Sequence, residues 1–106
     1  MGSIATLIRR KNNMYEVNDE LREKLNAEIT ELNKRKDHDY DFAFDKSYDE
    51  FGLISPVIRL QDKLNRVKSF AKGNTLQVTD ESAEDSLIDL ANYTLKTIIA
   101  MRRNRQ

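Results

Sequence analysis

The chain has 106 residues, no cysteine, and 18 Lys and Arg against 18 Asp and Glu, so its formal net charge is zero. That length suits one domain able to bury about two thirds of its unfolded surface. The charge balance excludes a general duplex nucleic-acid binder, which would be clearly basic, and the lack of cysteine excludes a disulfide framework and thiolate chemistry. No apolar run reaches the length of a membrane span and no signal-peptide core stands at the N-terminus, so a cytoplasmic protein without a membrane partner is the expectation.

Residues 1–16 read as an N-terminal arm or a short docking helix, with Ile4, Leu7 and Ile8 as a small apolar patch broken by Asn12 and Asn13. A single α-helical domain is expected over 17–103, with a frayed tail at 104–106. Its first helix should run over about 19–34, capped by Asn18 and carrying Leu21, Leu25, Ile29 and Leu32 at helical spacing. Residues 36–42 follow, with Asp37, Asp39 and Asp41 alternating with His38 and Tyr40. Aspartates compete for backbone N–H groups and favour turns, so this stretch reads as a polar loop.

Residues 44–51 predict a short helix with Phe44, Tyr48 and Phe51 on one face, Asp45 and Asp49 on the other, and Gly52 as a left-handed terminator. Ser55 and Pro56 then predict the start of a helix, Ser as N-cap and Pro at the first helical position. Its core stripe should be Val57, Leu60, Leu64, Val67 and Ala71, ending at Gly73. Arg59, Lys63 and Arg66 project from the opposite side, a row of charge-assisted donors for a phosphate-bearing ligand. After a connector at 74–78, Thr79 or Asp80 should cap the last helix, whose core positions are Leu87, Ala91, Leu95 and Ile98. Glu81, Asp85 and Asp89 recur on one of its faces, where like charges repel and need an offset from a metal or a basic neighbour. These helices imply an all-α fold, a compact bundle of about four main helices; by analogy with small α-helical proteins that build a site from two copies, a homo-oligomer is expected.

Four pieces in order carry a family resemblance: K-x-H-D-Y from Lys36, F-D-K-S-Y-D-E-F-G-L from Phe44, R-L-Q-D-K-L-N-R from Arg59, and D-E-S-x-E-D-S-L-I-D-L-A-N-Y from Asp80. Over roughly residues 33–98 the chain resembles the phage nucleotide-modification-associated domain, type one. That resemblance implies a role in phage nucleotide metabolism or DNA base modification, and so residence in host-cell cytoplasm. A more distant similarity is to the MazG and dimeric dUTPase type of all-α nucleotide pyrophosphatase, which hold magnesium between acid pairs on two helices. It would make Asp45, Asp49, Asp85 and Asp89 the magnesium ligands and set Glu50 or Glu81 to align water, although D-x-x-x-D stands here where that group has E-x-x-E and E-x-x-D.

Three functions follow as expectations. The first is a non-catalytic protein that holds a phosphorylated, even cyclic, nucleotide and sequesters a host immune signal, needing no cofactor: Arg59, Lys63 and Arg66 take phosphates, Tyr40 or Tyr48 stacks on a base, and His38 or Asn92 bonds its edge. The second is a magnesium-dependent nucleotide pyrophosphohydrolase. The third is a helical interaction module whose charge blocks only pair with one another.

Overall fold

A computed structural model describes residues 3–74 and 82–105, and gives the backbone alone at 5–14, 16 and 17. The described residues form four helices and no strand: α1 (Ile4–Tyr40), α2 (Ala43–Phe51), α3 (Ile54–Ala71) and α4 (Ala83–Asn104). The all-α expectation holds. None of these helices is long and apolar enough to cross a membrane.

The chain divides into two compact units within α1, Met1–Leu32 and Asn33–Gln106. The first unit carries the N-terminal stretch of α1. Asn12 and Asn13, expected to break the apolar patch, and Asn18, expected as an N-cap, lie inside this helix. Each asparagine costs only a few tenths of a kcal/mol relative to the Leu, Glu, Lys and Arg around it, too little to end a helix. Leu7 and Ile8 of the expected apolar patch have side chains outside the described residues.

The second unit contains the end of α1 with α2, α3 and α4; α3 packs on α4, and α2 on α3. The polar loop expected at 36–42 is instead helical to Tyr40. Asp37 does not turn back on its own backbone. Its carboxylate accepts from Asn33 Nδ2 at 3.2 Å and from Lys96 of α4, so partners on the helix itself and on a distant one replace the local competition that would favour a turn. The chain reverses at Asp41 and Phe42, both left-handed at φ 51° and 56°. Phe42 N–H donates to Asp37 O at 3.1 Å, closing the helix end.

α2 forms as its pattern implies, with Phe44 and Tyr48 buried, but Phe51 is exposed. Gly52 ends it at φ 75°, ψ −157°, a conformation open to glycine, while its N–H donates to Tyr48 O at 2.7 Å. α3 starts one residue before Ser55, so Ser55 is not its cap and Pro56 lies within the first turn, where its missing N–H costs nothing. Pro56 is fully buried. The cap of α4 is Ser82 rather than Thr79 or Asp80, which lie outside the described residues with the connector at 75–78.

The inward faces of α3 and α4 differ from the expected stripes. Val57, Leu64, Leu87, Leu95 and Ile98, all expected in the core, are 41–49% exposed. The buried positions of α4 are Ser86, Asn92, Thr97 and Ala100, and Pro56, Leu60, Lys63 and Val67 on α3 are buried or half-buried. On α3 Leu60 and Val67 face inward as expected, whereas on α4 a largely polar face turns inward where the periodicity implied an apolar one. Each inward polar group therefore needs a partner inside the unit or a ligand.

Candidate functional site

The inward polar face opens into a cavity of about 510 Å³ within the second unit. That is ample for a small organic ligand, since such pockets span roughly 300–1,000 Å³. Every element of the unit lines it: Lys36, Asp37 and Tyr40 from the end of α1, Ala43 and Phe44 from α2, Arg59 and Lys63 from α3, and Asp89, Asn92, Tyr93 and Lys96 from α4.

The floor is aromatic. Phe44 and Tyr93 stack at 5.9 Å between centroids with planes 8° apart. Cations cover these rings: Lys36 Nζ and Arg59 Cζ each lie 5.9 Å from the Tyr93 centroid, and Lys96 Nζ lies 5.2 Å from that of Phe44. Ring faces attract cations electrostatically, more so where water is displaced. Tyr93 thus positions Lys36 and Arg59, from different helices, on one surface.

Two carboxylates hold the lysines in place. Asp89 bridges Lys36 Nζ at 2.6 Å and Lys63 Nζ at 2.8 Å, while Lys96 pairs with Asp37. Burial is the largest single influence on Asp89 and raises its pKa, but the hydrogen bonds and charges of Lys36 and Lys63 together outweigh it, leaving the carboxyl below its ordinary value. Four cationic side chains face two carboxylates, so the cavity carries an excess of positive charge. Asn92 is 3% exposed, and among the described residues its Nδ2 has no partner.

Of the expected ligand-binding residues, the fold gathers Arg59, Lys63, Tyr40 and Asn92 here. His38 does not join them: its side chain is exposed, with Nδ1 3.3 Å from Asp39 Oδ1. Tyr48 is buried in α2 away from the lining, and Arg66 is exposed elsewhere on α3. Lys36, Asp37, Phe44, Tyr93 and Lys96 complete the site and were not expected in it. Lys36, Phe44 and Tyr93 stand inside the quoted family pieces, which is the signal that could have found them.

The expected magnesium ligands are not brought together. Asp85 closes a capping box, accepting from Ser82 N–H at 3.0 Å while its own N–H donates to Ser82 Oγ at 3.0 Å. The Ser82 backbone and side-chain hydrogen bonds lower the Asp85 pKa. Asp89 is held between two lysines, and Asp45 and Asp49 face Arg103 at 3.5 Å and 3.7 Å. Among the described residues no three His, Cys, Asp or Glu side chains cluster so as to hold a metal ion. Glu50 is exposed on α2, and Glu81 lies outside the described residues.

The family model described as nucleotide modification associated domain 1 matches residues 36–101. The chain belongs to that family. Every residue lining the cavity falls inside the matched segment, which begins at Lys36 itself. No curated protein and no solved structure matches the chain. Membership of the nucleotide modification associated domain 1 family ties the second unit to nucleotide modification and leaves its activity to be argued from the site.

Proposed function

We propose that this nucleotide modification associated domain holds a phosphorylated nucleotide in the α1–α4 cavity without turning it over. The observation that carries the reading is a cavity of about 510 Å³ with four cations, two carboxylates and a stacked aromatic floor. Lysine and arginine give phosphate oxygens charge-assisted hydrogen bonds, and the carboxylates keep those cations in place between binding events. Tyr40, exposed at the lining, offers a ring face to a base. The Asn92 amide offers a donor to a base edge, which would satisfy a buried group that has no partner among the described residues.

Holding is favoured over hydrolysis because the candidate acids are committed elsewhere: Asp85 to a helix cap, Asp89 to two lysines, Asp45 and Asp49 to Arg103. A protein that binds a cyclic nucleotide and leaves it intact would serve to sequester a host immune signal. Titration calorimetry against mono-, tri- and cyclic nucleotides tests the reading. Saturable binding that Lys63→Met weakens supports it. No saturable binding across the panel, or release of pyrophosphate from a nucleoside triphosphate with magnesium, overturns it.

A further inference from the structure

The face of α4 opposite the cavity has an order of its own. Glu84, Leu87, Ala91, Leu95, Ile98 and Arg102 follow one another along a single side of the helix, with Ile99 at its edge. This side is turned away from the buried Ser86, Thr97 and Ala100. Leu87 is 49% exposed, Leu95 47%, Ile98 41% and Ile99 59%, and the ends, Glu84 and Arg102, are exposed too. Thr94, at the margin, donates its hydroxyl to Leu90 O at 2.8 Å, so that this polar group is satisfied within the helix.

The stripe is complementary to itself in one direction only. A two-fold axis crossing the helix at the height of Tyr93 places Glu84 opposite Arg102, Leu87 opposite Ile99, and Ala91 opposite Leu95. Each charge meets its opposite, Leu87 meets Ile99, and Ala91, the smallest residue of the stripe, meets Leu95 where the two helices cross most closely. The antiparallel arrangement also aligns the two helix dipoles favourably. A parallel pairing would set Glu84 against Glu84 and Arg102 against Arg102. Neither residue has an ion-pair partner among the described residues of its own chain. A surface that pairs i with j and j with i is what a closed two-fold contact requires, and the zero net charge opposes no such association.

We propose that α4 is the self-association surface of this protein, and that two copies pair through it antiparallel, with Glu84 of each copy against Arg102 of its partner. The cavity stays open on the other side of the helix, so the pairing is independent of the proposed ligand.

Sedimentation equilibrium of the full chain tests this. The expected mass is twice 12.4 kDa, and Ile98→Arg should give a folded monomer with unchanged far-ultraviolet circular dichroism. Glu84→Arg alone or Arg102→Glu alone should each raise the dimer dissociation constant about tenfold, because each sets like charges across the contact twice. The double variant Glu84→Arg/Arg102→Glu should recover most of that loss, since it only exchanges the two signs. Both charge variants are surface changes that leave the buried face intact. A monomer at about 100 µM, a dimer indifferent to Ile98→Arg, or a double variant no better than the singles would each overturn the proposal.

Discussion

Replacing Asp89 by Asn separates what holds the fold from what fills the cavity. Asparagine keeps the shape and removes one negative charge. In the wild type that charge sits 2.6 Å from Lys36 Nζ and 2.8 Å from Lys63 Nζ, with side-chain exposures of 15%, 29% and 17% for Asp89, Lys36 and Lys63. Breaking a fully buried ion pair costs about 3–5 kcal/mol and an exposed one about 0–1. These half-buried groups lie between, so Asp89→Asn should destabilise the protein by about 2 kcal/mol, lowering the melting temperature by about 10 °C. Affinity should move the other way. One unit charge about 6 Å from a bound phosphate is worth about 0.7 kcal/mol at the dielectric of water and about 2.8 at an effective value of 20. The variant should therefore bind an anionic nucleotide between about threefold and about a hundredfold more tightly. Calorimetry below the variant's melting range, paired with a thermal melt, reads both quantities. A variant that is less stable and also binds nucleotide more weakly would refute the reasoning, because the carboxylate would then be a direct ligand contact rather than an anchor for the lysines.

The same carboxylate sets an acid limit. Its pKa is lower folded than unfolded, so its contribution to stability is present above the ordinary carboxylate range and is lost as pH falls through the folded value; a melting profile against pH should be flatter at the acid end for Asp89→Asn than for wild type. Tyr93→Leu removes the stack on Phe44 and the ring that Lys36 and Arg59 cover, and should cost about 1–2 kcal/mol in denaturant titration as well as weakening nucleotide binding. Ser82→Ala removes the cap of α4 and should cost about 1 kcal/mol in a thermal melt, with no change in ligand affinity. In that variant the Asp85 carboxyl, no longer bonded to the Ser82 hydroxyl, should titrate closer to its ordinary value by carbon-13 NMR. Arg103→Ala breaks long contacts with Asp45 and Asp49 at an exposed site, and a stability loss above about 1 kcal/mol would contradict the assignment of that cluster as a surface pair.

The sequence by itself determined that this chain is helical, that α2 ends at Gly52, that acids gather at the start of α4 and arginines at its end, and that the segment from Lys36 onward carries a family pattern. These are local properties: propensity, the freedom of glycine at positive φ, and the spacing of side chains along one helix. Only the tertiary structure decided which face turned inward. Periodicity shows that Leu87, Leu95 and Ile98 share a side of α4, but not which neighbour covers them. The helix instead turns Ser86, Asp89, Asn92 and Lys96 toward its own unit. The continuation of α1 to Tyr40 and the excess of cations in the cavity rest likewise on partners far along the chain: Lys36 meets Asp89 across 53 residues, and Asp37 meets Lys96 across 59. A carboxylate's local tendency to make a turn yields to a charge brought from a distant helix, because a half-buried ion without a partner costs more than the turn would gain.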